Sequence, residues 1–279
     1  MQGMLDQAVA IYSVCDEVVR GLSLSDDPQC KMTSAEVMTF AVLAAKLFYG
    51  DYKRTHLIAR YHKYFSNILS LSQLVRRIHN IPEHAWAMVF QAIRVFLSNH
   101  NQDTFIVDSM PIKAYENYKS FRARIFSGSK FHGYTATRKQ YFFGIKVHMI
   151  VDADGVPVEF GFSPASTADI EGLRQLPIHL PEGSRLYADK AYLDYEFEEM
   201  LSEIADIQLI AKRKKNLLRQ HSARDEFFLR CYRNRVETVF SSISSRMPRH
   251  IKARTERGFC LKVVFFILAY MFHKFSKQL

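Results

Sequence analysis

Thr104-Phe-Ile-Val-Asp108 and Ser184-Arg-Leu-Tyr-Ala-Asp189 decide how this chain is read. Each is a short, mainly apolar run that closes on a carboxylate. Such runs predict buried strands. A carboxylate at the C-terminal end of a strand stands on the rim of an open α/β sheet, where these sheets place their ligands. Working outward, Tyr141–Val151 predicts a longer strand, and Asp152-Ala-Asp-Gly155 a turn that returns it as a second strand over Val156–Ser163. Asp152 and Asp154 read as turn residues. Asp169 reads as the N-cap of a helix over Ile170–Leu176, though it could also lie near the rim. Helix Tyr195–Ile204, strand Ile207–Ala211 and a long helix Arg224–Met247, stopped by Pro248, complete the pattern. Strand, hairpin, helix, strand, helix, strand, helix is a mixed α/β sheet with helices on its faces.

Before residue 100 strand-like alternation is absent. Thr33-Ser-Ala-Glu36 has the spacing of a capping box ahead of the apolar run Val37–Leu47. Further helical segments follow at Tyr49–Phe65 and Ser72–His79, and from Pro82 through Phe96. Residues 1–100 therefore read as an all-helical module and 101–279 as the α/β domain. Gln73–His79 reads either as a recognition helix, with Arg76 and Arg77 toward phosphate, or as an ordinary amphipathic helix.

The net charge of +10, with a pI near 9.4, favours an anionic partner. Its distribution is more telling. Residues 113–146 hold eight Lys/Arg against one Glu, and residues 212–279 hold seventeen against four acids. Two basic blocks thus flank an acidic middle. The four cysteines, Cys15, Cys30, Cys231 and Cys260, have no zinc spacing and no disulfide pattern, which fits a reducing cytoplasm. The N-terminal residues lack the basic start of a signal peptide. The most apolar stretch, Val263–Phe272, is ten residues and too short to span a bilayer, so it reads as a buried helix and no membrane partner is expected.

Glu237 is the only acid between Glu226 and Glu256, inside a helix rich in arginine. Alone it reads as an ion-pair partner. With Asp108 and Asp189 it could hold two hard divalent cations roughly 3.5–4 Å apart, the arrangement that phosphodiester cleavage uses. Lys146, His148, Lys190 and Lys212, with Arg233 and Arg235 of the basic helix, are candidate contacts to a DNA backbone, whose phosphates dominate affinity. Lys190 reads equally as a structural ion-pair partner and Lys212–Lys215 equally as a solvated loop, whereas His148, alternating within an apolar strand, reads more readily as a satisfied core histidine, and Lys146, two residues earlier on the same face, shares that ambiguity. Ser109 has no nucleophile elbow or ordered His/Asp partner, and no glycine-rich phosphate loop is present.

Val107-Asp-Ser-Met-Pro-Ile112, Tyr141-Phe-Phe-Gly-Ile-Lys-Val-His148, Tyr187-Ala-Asp-Lys-Ala-Tyr192 and Arg233-Asn-Arg-Val-Glu-Thr-Val-Phe240 occur in order, followed by Gly258-Phe259 and an apolar tail. On these segments residues 104–275 resemble the catalytic domain of bacterial insertion-sequence transposases of the DDE type. The resemblance is nearest to the insertion-sequence family numbered nine hundred eighty-two. It implies an RNase H-like fold and a triad of Asp108, Asp189 and Glu237 holding Mg²⁺, for which Mn²⁺ substitutes. It also implies cleavage at element ends and strand transfer into target DNA. The wider group often shows Tyr-x₂-Arg-x₃-Glu-x₆-Lys. Arg233 and Glu237 match it, whereas Arg230 and Ser244 stand where the Tyr and Lys would be.

The expectation is thus a DNA transposase in the bacterial cytoplasm, associated with the nucleoid. Its partner is double-stranded DNA, bound at element ends by the helical module, and it acts as a dimer or higher assembly. The alternatives are a metal-dependent nuclease that cuts without joining, and a non-catalytic DNA-binding repressor.

Overall fold

The computed structural model describes residues 2–98, 102–135, 139–214 and 219–277. The chain forms two compact units, one of Met1–Leu97 with Ser242–Leu279, the other of Ser98–Ser241.

The first unit is helical: α1 (Gln2–Gly21), α2 (Ser34–Phe48), α3 (Tyr52–Tyr61), α4 (Leu71–Asn80), α5 (Glu83–Leu97) and, from the far end of the sequence, α9 (Glu256–Phe275). The Thr33/Glu36 capping box starts α2, with Glu36 N donating to Thr33 Oγ1 and Thr33 N to Glu36 Oε2. Its apolar residues are buried on every side, as in a helix at the centre of a core. α9 packs against α2 and α5, with Phe265 on Trp86 at 4.6 Å between ring centroids. Among the described residues α9 alone is long and apolar enough to cross a membrane, but most of that apolar stretch is buried within the helices. The sequence had assigned all of 101–279 to one domain. The packing joins 242–279 to the N-terminal helices instead, because the apolar faces of α2 and α9 cover each other.

The second unit carries a six-stranded mixed sheet: β1 (Thr104–Tyr115), β2 (His132–Thr135), β3 (Gln140–Asp152), β4 (Pro157–Pro164), β5 (Arg185–Ala188) and β6 (Gln208–Ala211). The order is β2-β3-β1-β5-β6, and β4 pairs with β3 beyond the end of β2. β1 is antiparallel to β3 and parallel to β5, which is parallel to β6. Asp152 Oδ1 accepts the backbone N–H groups of Asp154 and Val156, closing the β3–β4 turn.

Helices α6 (Asp169–Arg174), α7 (Tyr195–Ala205) and α8 (Ala223–Ser244) complete the unit. One face of the sheet, with Phe105, Val107, Ile150, Leu186, Ala188 and Leu209, forms a core with Leu173 of α6 and Phe197 and Leu201 of α7. The other face presents Tyr187 to α8, whose Phe228 and Tyr232 rings lie 6.1 and 5.3 Å from it. The sheet therefore has helices on both faces, as expected. β2 was not foreseen, because four residues with an exposed His and Tyr carry little apolar signal.

Candidate active site

The parallel register of β1 and β5 runs from Thr104↔Arg185 to Val107↔Ala188. The next residue on each strand is Asp108 and Asp189. The two aspartates thus directly follow the last paired position of adjacent parallel strands, whose backbones lie about 4.8 Å apart, and Asp189 caps the short turn Lys190–Tyr192. Each is half-buried, and each Oδ1 accepts the backbone N–H of the following residue at 2.7 Å, Ser109 in one case and Lys190 in the other. These short bonds fix one oxygen of each side chain.

β1 does not end at Asp108, as the sequence had indicated. It continues to Tyr115 along β3, and only the pairing with β5 stops. Beyond the carboxylate Met110, Ile112 and Ala114 are buried in alternation. A bulge between Lys113 and Tyr115 sits against Gly144, where a Cβ would lie 2.1 Å from Ile112 O. Only glycine permits that approach.

A cavity of about 420 Å³ opens over the pair on the α8 side. Asp108, Asp189, Lys212, Glu226, Arg230 and Val236 are among its lining residues. Glu237 lies on the exposed surface of α8, one residue beyond Val236. Among the described residues no three of His, Cys, Asp and Glu come close enough together to hold a metal ion. The structure brings Asp108 and Asp189 together and does not gather Glu237 with them. Glu226 is the acid that the sequence reading passed over. It precedes Glu237 by eleven residues, about three helical turns, so the two share a side of α8. That spacing was the available signal. The donor set at the rim is hard oxygen, and Mg²⁺ is commonly held by one or two carboxylates with water and phosphate oxygens. The two aspartates fit such an ion.

The remaining candidates separate by exposure. Lys190, Lys212 and Arg235 are exposed. The Arg233 side chain and Lys215 lie outside the described residues. Arg213, next to Lys212, is held by Glu198 at 2.8 Å with little exposure. Lys146 Nζ donates to Asp169 Oδ1 at 3.0 Å and to Thr167 O at 2.8 Å. His148 is 1% exposed, and its Nε2 meets Ser163 Oγ at 2.7 Å. Burial lowers its pKa to about 4, so the ring is neutral and has no surface to offer a phosphate. Asp169 is not an N-cap. Ala168 holds that position without a side-chain bond, and Asp169 is the first helical residue, with Oδ1 accepting Ser109 Oγ at 2.8 Å. In the helical unit, Arg77 is bound to Asp26 at 2.7 Å, while Arg76 is exposed.

A family model described as "Transposase DDE domain" matches residues 99–272. The chain belongs to this transposase family. Membership implies an RNase H-like fold for the mixed sheet. The match runs into α9, so the helix that packs with the N-terminal unit is part of the transposase sequence. No curated protein matches the chain significantly.

Proposed function

We propose that this transposase, nearest to the insertion-sequence family numbered nine hundred eighty-two, cuts DNA at element ends and transfers the released 3′-hydroxyl strand into target DNA. The reading is carried by one observation: Asp108 and Asp189 stand side by side at the sheet rim of a chain in the DDE family. Asp108 and Asp189 would hold Mg²⁺, or Mn²⁺ in its place. The bound ion would supply charge stabilisation at the phosphoryl oxygens and activate the attacking oxygen. Glu237 is the third acid we assign, through its match in Arg233-x₃-Glu237.

The chain's own residues do the rest. Lys212 and Arg230, on the cavity wall, neutralise phosphates on either side of the scissile bond, and Lys190 and Arg235 extend that contact. Lys146 and His148 are left out, since one is bound to Asp169 and the other is buried. The helical unit binds element ends, with Arg76 on its exposed surface. Two copies act together on two ends, in the cytoplasm at the nucleoid.

The test uses DNA spanning the flanks of the gene for this chain. Asp108→Asn should lower strand cleavage at least about a thousandfold while end binding stays within about twofold, since both follow from loss of an ion ligand at the reacting phosphate. Full cleavage by D108N ends the assignment. Transfer from a pre-cleaved 3′-hydroxyl end separates a transposase from a nuclease that only cuts. Glu237→Gln should match D108N. If Glu226→Gln does so and E237Q does not, the third acid is Glu226.

A further inference from the structure

We propose that Asp169 is a positioning residue for Asp108, acting through the Ser109 hydroxyl and itself held by the Lys146 ammonium. The need for such a residue follows from the sheet. Up to Val107, β1 is paired on both edges, with β3 and with β5. From Asp108 onward the β5 register has ended and β3 alone continues. The carboxylate proposed to hold the ion therefore sits where β1 first loses a neighbour.

Side chains alternate along a strand. Asp108 shares the α8 face with Ile106 and its partner Tyr187, while Ser109 shares the opposite face with Val107 and its partner His148. A tether on Ser109 thus fixes the pleat at Asp108 from behind without occupying the ion-binding face. Ser109 Oγ makes that tether, donating to Asp169 Oδ1 at 2.8 Å.

The far end of the tether is itself anchored. Lys146 Nζ reaches the same Asp169 oxygen and the Thr167 carbonyl just before α6. The Lys146 and Asp169 side chains are only 16% and 22% exposed, so this pair is better shielded than a surface ion pair. α6 is seated on the sheet by Gly172, where an added Cβ would fall 2.1 Å from the His148 ring. The fully buried Tyr192 packs in the same core cluster as Val107 and Ala188, the residues that precede the two aspartates. Ser109, Lys146, Asp169 and Tyr192 come from four separate segments, and their convergence behind the aspartate pair is what carries the inference.

The inference rests on Asp108 being an ion ligand, and the experiment separates the two claims. Mn²⁺ binding to the full-length protein is followed by electron paramagnetic resonance, beside thermal melting. Asp108→Asn tests the ligand assignment. Binding by D108N equal to the parent's would overturn that reading and this one together. With D108N impaired, Asp169→Ala and Ser109→Ala should each weaken Mn²⁺ binding about tenfold, as outer partners of metal ligands do, with melting nearly unchanged. The double variant should be no weaker than the worse single one, because both act along one path. Asp169→Asn, which keeps an acceptor for the Ser109 hydroxyl, should retain most of the affinity. If D169A folds and binds Mn²⁺ like the parent, Asp169 does not position Asp108. Should D169A fail to fold, S109A, which removes a single oxygen, decides the matter in the same way.

Discussion

His148 gives the residue scale its sharpest solution signature. Buried against Gly172 and bonded to Ser163, its ring stays neutral down to a pKa of about 4, whereas an unfolded histidine titrates near 6.5. The folded pKa is depressed, so this contribution to stability is complete above about 6.5 and is lost as pH falls toward 4. Between pH 7 and pH 5 the loss is about 2 kcal/mol. Urea midpoints at those two pH values should fall for the parent and fall less for His148→Asn. A parent midpoint unmoved over that range would show that the ring is not held neutral. Legibility divides at this scale by how local the signal is. Asp108 and Asp189 announce themselves because each ends an apolar run. Asp169 was misread because Thr-Ala-Asp before a helical stretch is also what a cap looks like. Its real partners, Ser109 and Lys146, are sixty and twenty-three residues away. Glu226 was missed because its spacing to Glu237 is a weak signal until the cavity places it on the wall beside the aspartates.

At the scale of elements, α6 is short, six residues, and is positioned by its closest approach to the sheet rather than by length. Gly172→Ala pushes a methyl group into the His148 ring. Overpacking of this kind costs about 1–3 kcal/mol, and the upper end applies because ring and helix are both fixed. The melting temperature should drop by several degrees, and a change below one degree would refute the packing argument. The strands show what periodicity can and cannot give. β3 and β5 were legible as apolar runs. The second half of β1 was not, since Ser109, Pro111 and Lys113 interrupt it and only pairing with β3 keeps it extended. The Ser70/Gln73 capping box moves the start of α4 to Leu71, one residue before the sequence had placed it.

Over the whole molecule, the boundary near residue 100 was readable as a change from helical to strand periodicity. The return of α9 to the helical unit was not, because a helix apolar on all sides carries no mark of which core will bury it. Trp86, the only tryptophan, packs on Phe265 of α9, so its emission reports whether that helix is in place. Phe265→Ala should cost about 3–5 kcal/mol and shift the Trp86 emission to the red. An unchanged spectrum in a folded F265A protein would contradict the docking of α9.

The same arrangement sets a schedule for biosynthesis. The helical core draws on segments that leave the ribosome on either side of the entire sheet unit. At about 5–20 residues per second, α9 emerges roughly 8–30 s after α5. Throughout that interval α2 has one apolar side uncovered, while the segments of the sheet unit are made one after another. In the nascent transposase the helical core, begun first, is therefore closed only once α9 follows the sheet unit off the ribosome.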